Sequence, residues 1–199
     1  MVKFYYNDYP FRKDMRYLVL YRGGFSPSTR GHVSLVEKYI HMKNVKYYIS
    51  QIGSPLRHGV PYYFNRKIWR IYIDELFDDY RDKIFLKKMK GTYDVLDYVE
   101  DIDVVIFLRG REEEENEREN KEIERRSKYA ALISKLRRRN VSLDFLIIDR
   151  PEIDTLSTTK FIEGVLNNKS IEELKFFLPD ISSSTSRYII RKLRTFDLK

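Results

Sequence analysis

The sequence predicts an α/β fold in which a five-stranded parallel sheet carries helices on both faces and is followed by C-terminal helices. Short apolar runs alternate with segments of helical periodicity along most of the chain. Residues 104–108 are almost wholly apolar, as in a strand that is covered on both sides. Strict alternation of strand and helix implies right-handed crossovers, and these make neighbouring strands parallel.

The five predicted strands are short runs that turn residues interrupt. Residues 17–21 are apolar and end at a glycine-rich turn. Residues 45–52 alternate well enough for a second strand, which Gly53, Ser54 and Pro55 terminate. The remaining strands are predicted over residues 83–89, 104–108 and 143–149.

The predicted helices place apolar side chains on one face. The face of the first helix consists of Leu35, Val36, Tyr39 and Ile40. A second helix is predicted from about residue 63 to 79, and Thr92 is a suitable cap for a short helix over 92–99. Residues 112–140 combine helically spaced charge pairs with an apolar stripe, which predicts one long helix.

The composition predicts a folded protein with an anionic partner. Of the 199 residues 42% are hydrophobic, which suffices for a full core. There is no run of eighteen apolar residues and no leader pattern, so we expect neither a membrane span nor a secretory signal. The absence of cysteine excludes disulfides and thiolate metal sites and agrees with the cytoplasmic location that we expect. The formal net charge of +8 suits a nucleoside triphosphate, a nucleic acid or a membrane surface.

The turn between the first strand and the first helix could hold phosphate. Gly23, Gly24 and Gly31 would let the backbone approach a ligand closely. The unpaired N–H groups at the helix start, together with the helix dipole, favour a bound anion. His32 could donate a hydrogen bond to the same place.

Residues 24–32, Gly-Phe-Ser-Pro-Ser-Thr-Arg-Gly-His, resemble the Gly-x-Phe-x-Pro-x-[His/Thr]-x-Gly-His signature of the nucleotidylyltransferase superfamily. This superfamily includes pantetheine-phosphate and nicotinamide mononucleotide adenylyltransferases and glycerol-phosphate cytidylyltransferases, and its fold is Rossmann-like. Thr29 stands where many members have the first His. The resemblance implies that His32 and Thr29 are catalytic. The nucleotide-binding residues that it implies here are Gly23, Gly24, Phe25, Ser26, Gly31 and His32.

Arg109-Gly110-Arg111 follows the fourth predicted strand and resembles the Arg-Gly-x-Arg segment of pantetheine-phosphate adenylyltransferases, with one residue fewer between the arginines. Arginines at the carboxyl end of a strand beside the first strand would lie where open α/β sheets bind ligands. The guanidinium fork suits triphosphate oxygens. The resemblance thus implies that all three residues bind nucleotide and that Arg109 also contributes to catalysis.

Two segments resemble the second signature of the superfamily, Ile-Ser-[Ser/Thr]-[Ser/Thr]. Residues 156–160, Leu-Ser-Thr-Thr-Lys, follow the fifth strand, and hydroxyl and N–H groups at a helix start can hold phosphate oxygens. Residues 181–187, Ile-Ser-Ser-Ser-Thr-Ser-Arg, match more literally, but no strand precedes them. We favour the first segment and keep the second open as the cap of a terminal helix. The favoured segment assigns nucleotide binding to Leu156, Ser157, Thr158 and Thr159, and catalysis to Lys160. With this choice, Ile162 stands where the superfamily usually has Arg or Lys.

The resemblance implies transfer of a nucleoside monophosphate from a triphosphate to a phosphorylated small molecule, with release of pyrophosphate, as in coenzyme biosynthesis. Thr29, the arginine segment and Leu178-Pro179 favour ATP, whereas Arg150 and the Ser-Thr-Thr-Lys sequence favour CTP. A looser resemblance makes Arg57, His58 and Arg66 candidates for binding the acceptor phosphate. Mg²⁺ would bridge the phosphates with few protein ligands, so no metal site made of protein side chains is predicted.

Two other functions stay open. The chain could be a catalytically silent nucleotide-binding member with a structural or regulatory role, or it could bind nucleic acid through the basic residues 137–139, Arg187, Arg191 and Arg194. A homo-oligomer also stays open. We divide the chain into an N-terminal extension (1–16), a nucleotidylyltransferase-like domain (17–165) and a C-terminal helical segment packed on the core (166–199).

Overall fold

The computed structural model describes residues 2–23, 26–52, 57–88, 92–110, 118–148 and 157–198. Within these ranges six parallel strands form one sheet in the order β1-β6-β5-β2-β3-β4. The strands are β1 (Phe4–Tyr6), β2 (Tyr17–Gly23), β3 (Val45–Ile52), β4 (Ile84–Lys87), β5 (Val104–Gly110) and β6 (Ser142–Ile148). The predicted α/β class and parallel sheet are confirmed, and the sheet has one strand more than the five expected.

The additional strand, β1, comes from the N-terminal segment, which has no strand-like period. Phe4 pairs with Phe145 of β6, and their rings stack with centroids 4.9 Å apart. The buried carboxylate of Asp144 accepts hydrogen bonds from the main-chain N–H of Lys3 and from the hydroxyl of Tyr9. Contacts with β6, rather than a local pattern, therefore fix this strand.

The helices of the described ranges lie between and after the strands. They are α1 (Arg30–Ile40), α2 (Tyr62–Leu76), α3 (Arg118–Lys128), α4 (Ala130–Arg137), α5 (Thr158–Leu166), α6 (Ile171–Lys175) and α7 (Ser183–Leu193). Residues 92–98 form a 3₁₀ helix. The expectation of one long helix over 112–140 is wrong within the described part, because Tyr129 separates α3 from α4. The buried ring of Tyr129 contacts Phe107 and Phe145.

Helices cover both faces of the sheet. Helices α1, α2, α5 and α7 pack on the face that includes Val19 and Ile106. Helix α4 and the 3₁₀ helix pack on the other face, which includes Leu18 and Phe107. The carboxyl ends of all six strands lie at one edge, where ligands bind in open α/β sheets. None of the helices in the described ranges is both long enough and apolar enough to cross a membrane.

Candidate active site

The turn that follows β2 is buried and hydrogen-bonded to two helices. Asn65 of α2 donates from Nδ2 to Ser26 Oγ at 3.2 Å, and Tyr72, also of α2, donates its hydroxyl to the Ser28 carbonyl at 3.1 Å. Thr158, the first residue of α5, donates from Oγ1 to the Pro27 carbonyl at 3.1 Å. These three side chains fix the turn before any ligand binds, and such preorganisation favours catalysis by positioning.

Thr29 and His32 cap helix α1 together. Thr29 is the N-cap, and its main-chain N–H donates to His32 Nδ1 at 3.1 Å. Because Nδ1 accepts from a main-chain N–H, the hydrogen of the neutral ring resides on Nε2. Only part of the His32 surface is exposed, and burial lowers the pKa of His32 to about 4. At neutral pH His32 is therefore an uncharged ring that can donate a hydrogen bond from Nε2.

The chain after α6 packs behind the start of α1. The main-chain N–H of Arg30 donates to the Phe177 carbonyl at 2.8 Å, and Arg30 Nε donates to the Leu178 carbonyl at 3.0 Å. The Leu178-Pro179 pair singled out in the sequence therefore lies beside the first signature. Gly31 follows within α1 and Gly23 ends β2, and both are partly exposed.

The start of α5 reaches the same turn through Thr158. Ser157 is the N-cap of α5, and its Oγ accepts from the Lys160 N–H at 3.2 Å. The hydroxyl of Thr158 has one hydrogen, which it donates to Pro27, so it cannot donate to a phosphate at the same time. Thr158 therefore acts as a brace in this structure, whereas Ser157 still has a hydroxyl hydrogen to donate. Thr159 and Lys160 are exposed.

Ile162 belongs to the hydrophobic core. Its side chain is 1% exposed and packs in the cluster that also contains Phe161 and Val165. The position at which the superfamily usually has a basic residue thus faces the interior of this protein. Ile162 therefore contributes no positive charge to the start of α5.

The competing segment, residues 181–187, lies elsewhere. Ser182 caps α7 by accepting from the Thr185 N–H at 3.2 Å, and its own N–H donates to Glu75 Oε2 at 2.7 Å. Glu75 lies near the C-terminal end of α2, ten residues after Asn65, which corresponds to about 15 Å along the helix axis. The structure therefore brings residues 157–158, and not residues 181–187, to the turn after β2.

Arg109 is at the expected edge of the sheet but on the face opposite α1. Its guanidinium lies over the ring of Phe107, with the Arg109 Cζ 5.5 Å from the ring centroid. Phe107 packs in the core beneath α4. Gly110 ends β5 and is partly exposed.

Four predicted site residues lie outside the described ranges, namely Gly24, Phe25, Arg111 and Leu156.

A basic and aromatic cluster lies where α2 meets the end of β4. Arg66 is exposed, and its Cζ is 6.0 Å from the centroid of the Tyr62 ring. The Tyr62 hydroxyl accepts from the Lys88 N–H at 3.0 Å, and Lys88 Nζ is 5.6 Å from the same ring. His58 lies in the loop before α2 with a φ of 61°, whereas the side chain of Arg57 lies outside the described part. Arg66 thus gains a second cation as a neighbour, Lys88, which the sequence analysis did not select.

Two further residues of the site, Asn65 and Tyr72, were missed by the sequence analysis. Both lie on the buried face of α2, where Phe64, Ile68 and Trp69 are apolar or aromatic. An Asn on such a face is unusual because a buried amide needs hydrogen-bond partners. That feature of the sequence could have identified Asn65, whereas Tyr72 carries no comparable signal.

Comparisons with solved structures establish the fold. Plasmodium falciparum nicotinic acid mononucleotide adenylyltransferase complexed with NaAD matches 92% of this chain and 98% of its own, with a TM-score of 0.59 and 17% identity. The same enzyme complexed with APC matches the same shares of both chains, with a TM-score of 0.57 and 17% identity. No family model and no curated protein sequence matches the chain. The resemblance to the nucleotidylyltransferase superfamily is confirmed as a likeness of fold.

Proposed function

We propose that the protein is a nucleotidylyltransferase that transfers AMP from ATP to a phosphorylated small molecule and releases pyrophosphate. The observation that carries the proposal is the hydrogen bond from Thr158 to the Pro27 carbonyl. This bond joins the start of α5, which carries the second signature, to the turn after β2, which carries the first signature. A site that binds one triphosphate between the two signatures requires that they lie side by side. Adenylyltransferases with the same fold support ATP over CTP.

The two helix starts provide the groups that bind the triphosphate. His32 donates from Nε2 to an oxygen of the α- or β-phosphate, and Thr29 orients the ring through its main-chain N–H. Ser157 donates its hydroxyl to the leaving pyrophosphate, beside the N–H groups of the first turn of α5. Gly23, Ser26 and Gly31 shape the turn. The resemblance assigns nucleotide binding to Gly24 and Phe25 as well.

Positive charge near the leaving group comes from Lys160, at the exposed start of α5. Arg109 and Gly110 end β5 at the edge of the sheet beside β2, and the resemblance assigns nucleotide binding to them and to Arg111. Arg109 must leave the ring of Phe107 to reach a phosphate held on the α1 side. Thr159 and Leu156 flank Ser157 and Thr158.

Arg57, His58 and Arg66 bind the acceptor phosphate, with Lys88 and Tyr62 beside Arg66.

The reaction needs no side-chain nucleophile. An oxygen of the acceptor phosphate attacks the α-phosphorus, and the bond from that phosphorus to the bridging oxygen breaks, so that its electron pair leaves with pyrophosphate. The acceptor is already an anion, so no proton has to be removed. The protein accelerates the step by holding the two anions in line and by stabilising charge as it develops.

The neutral state of His32 suits this role. A ring whose pKa is about 4 donates a hydrogen bond to phosphate throughout the physiological range without a change of charge.

Among the residues that the structure describes, no group of three metal-ligating side chains lies together. As the resemblance implies, Mg²⁺ would bind through the triphosphate and would neutralise phosphate charge there.

A pyrophosphate-release assay tests the proposal. ATP and CTP are each combined with phosphopantetheine, nicotinamide mononucleotide, nicotinic acid mononucleotide and glycerol phosphate. We expect release with ATP and one of the acceptors. Release with CTP alone would overturn the assignment of the nucleotide, and no release with any pair would overturn the assignment of an enzyme.

One observation favours a second candidate function, that of a silent nucleotide-binding protein. Ile162 is buried where relatives with the second signature usually have a basic residue. Binding of ATP in calorimetry without pyrophosphate release with any acceptor would favour this function over the first.

A further inference from the structure

Asn65 is a buried polar residue on an otherwise apolar helix face. Its side chain is 0% exposed, and its neighbours on the buried face of α2 are Phe64, Ile68 and Trp69. An amide in such surroundings is unfavourable unless hydrogen bonds compensate for the loss of water. The position therefore calls for an explanation in terms of what the amide contacts.

The amide nitrogen of Asn65 contacts two separate loops. Nδ2 donates to the Val60 carbonyl at 3.2 Å and to Ser26 Oγ at 3.2 Å. Val60 belongs to the loop that leads into α2, and Ser26 belongs to the turn after β2. The orientation of the amide is fixed, because a carbonyl oxygen can only accept and so the atom that faces Val60 must be the nitrogen.

The amide oxygen of Asn65 shows that the position is not optimised for stability. Oδ1 is buried, and within the described residues no atom forms a hydrogen bond with it. A buried acceptor without a partner destabilises the native state, and an apolar side chain of similar size would avoid this penalty. The benefit of Asn65 therefore lies in the two bonds that its nitrogen makes.

We propose that Asn65 is a positioning residue that holds two segments in one fixed arrangement. These are the turn after β2 (residues 26–29) and the loop of residues 57–61 that leads into α2, which we call the acceptor loop. Asn65 acts through Ser26 and Val60 and does not touch substrate. The role in substrate binding rests on the proposed function, whereas the link between the two loops does not. Because one amide group joins both loops, loss of that group affects the binding of both substrates.

The substitution N65L separates positioning from folding. Leucine fills a similar volume and leaves no buried amide oxygen. The thermal unfolding midpoint of N65L should therefore fall, relative to the wild type, by no more than the midpoint of the control variant falls. N65D is a second variant of nearly identical shape that lacks the donor hydrogens. The control is S186A, which removes the hydroxyl of a residue that is 3% exposed and that bonds the Ser182 carbonyl at 3.1 Å, within α7.

Hydrogen exchange followed by mass spectrometry tests the link in the protein without ligands. We expect the main-chain N–H groups of residues 28–33 and of residues 57–60 to exchange faster in N65L and N65D than in the wild type and in S186A. Unchanged exchange in either segment overturns the proposal, whatever the activity of the variants.

Steady-state kinetics tests the consequence for substrate binding. In N65L we expect KM for ATP and KM for the acceptor to rise together, each by about tenfold for the loss of hydrogen bonds of ordinary strength, with a smaller change in kcat. A folded N65L with wild-type KM values overturns the positioning role. If the wild type itself releases no pyrophosphate, the proposed function fails, and the exchange experiment still decides whether Asn65 links the loops.

Discussion

The hydroxyl of Thr158 donates to the carbonyl oxygen of Pro27 across 3.1 Å and joins the start of α5 to the turn after β2. The two residues are 131 positions apart in the sequence. Parallel strands bring them together, because the segments that follow β2 and β6 both emerge at the carboxyl edge of the sheet. The bond fixes the separation of the two helix starts between which we propose that the triphosphate binds.

Thr158→Val keeps the shape of this side chain and replaces the hydroxyl, which donates the hydrogen bond to Pro27, by a methyl group. We expect kcat/KM for pyrophosphate release to fall by about tenfold, as for one lost hydrogen bond, and Thr158→Ser to retain most of the activity. Thr195→Val is the matched control, since Thr195 also donates a hydroxyl to a main-chain carbonyl, that of Lys192, at the end of α7. Equal kcat/KM values for Thr158→Val and wild type would show that the brace is dispensable.

The sequence predicted the strands of the domain well because their signal is local. Residues 45–52 were predicted as a strand and form β3 with the same bounds. β1 was missed, because Phe4–Tyr6 is held by pairing with β6 and by contacts with Asp144, neither of which leaves a local pattern. The break at Tyr129 was missed for the same reason, since burial of one ring against the sheet decides it.

The candidate site was predictable only as a set of segments. The sequence places hydroxyls at a helix start, but it does not say what each hydroxyl contacts. Ser157 and Thr158 are neighbours with similar chemistry, yet one caps α5 and the other binds the Pro27 carbonyl. Likewise Arg109 lies near the carboxyl end of a buried strand, and the alternation of side chains along β5 places it over Phe107 on the far face.

His32 should show no ionisation in the neutral range. Its pKa is lowered to about 4 by burial, so the ring stays neutral over roughly pH 5.5 to 8, the range in which an ordinary His titrates. Ionisation of His32 should therefore cause no change in kcat/KM over this range. His32→Ala should lower kcat about a hundredfold, because it removes a hydrogen bond to the transition state. A pH–rate profile with an inflection near pH 6.5 that His32→Asn abolishes would contradict the neutral ring.

The same pKa shift links His32 to stability. Above pH 6.5 the ring is neutral in both the folded and the unfolded state, so it has no effect on the pH dependence of the free energy of unfolding. Between pH 6.5 and about 4 the unfolded state binds a proton that the native state does not, so stability falls as the pH falls. Thermal unfolding midpoints from pH 7 to 5 should therefore drop more steeply for wild type than for His32→Asn. Parallel curves would exclude a buried neutral His32.

Ile162→Arg introduces the basic residue that the superfamily usually has at this position. Because the side chain is 1% exposed in the core, we expect the free energy of unfolding to fall by about 3 kcal/mol or more for burial of an unpaired charge, with no gain in activity. Leu166→Arg in the same helix is the control, since Leu166 is 49% exposed, and it should be nearly neutral. Urea denaturation measures both variants. A stable, more active Ile162→Arg would mean that the side chain at this position can turn outward.

Gly59 lies in the acceptor loop with a φ of 71°, which disfavours any residue with a Cβ. A Cβ at this position would also overlap the carbonyl oxygen of Asp197, because the C-terminal segment packs against the loop. Gly59→Ala should therefore lower the free energy of unfolding by about 1–3 kcal/mol and displace the loop. Gly164→Ala should cost less, since its Cβ would meet the flexible end of the Leu174 side chain. Equal losses in urea denaturation would argue against the close contact with Asp197.

Ser157 and Ser182 form a natural pair for deciding between the two segments that resemble the second signature. Each is the N-cap of a helix, and each accepts a hydrogen bond of 3.2 Å from the main-chain N–H three residues later. Replacement by alanine removes this cap in both cases, and at Ser182 it also removes the hydrogen bonds of the hydroxyl to Thr185 Oγ1 and Glu75 Oε1. We expect Ser157→Ala to lose about 1 kcal/mol in the free energy of unfolding, the usual effect of losing such a cap, and Ser182→Ala to lose at least as much.

The two variants should differ in activity. Ser157 starts the helix that Thr158 braces against Pro27, whereas Ser182 starts a helix that docks on Glu75 at the far end of α2. Because both variants lose a cap, a fall in kcat/KM for pyrophosphate release that occurs only in Ser157→Ala cannot come from the capping defect and reports on the site at the start of α5. Ser157→Ala should lower kcat/KM by about tenfold, and Ser182→Ala should leave it at the wild-type value. The reverse result would transfer the phosphate-binding role to residues 181–187 and would separate it from the turn that contains His32.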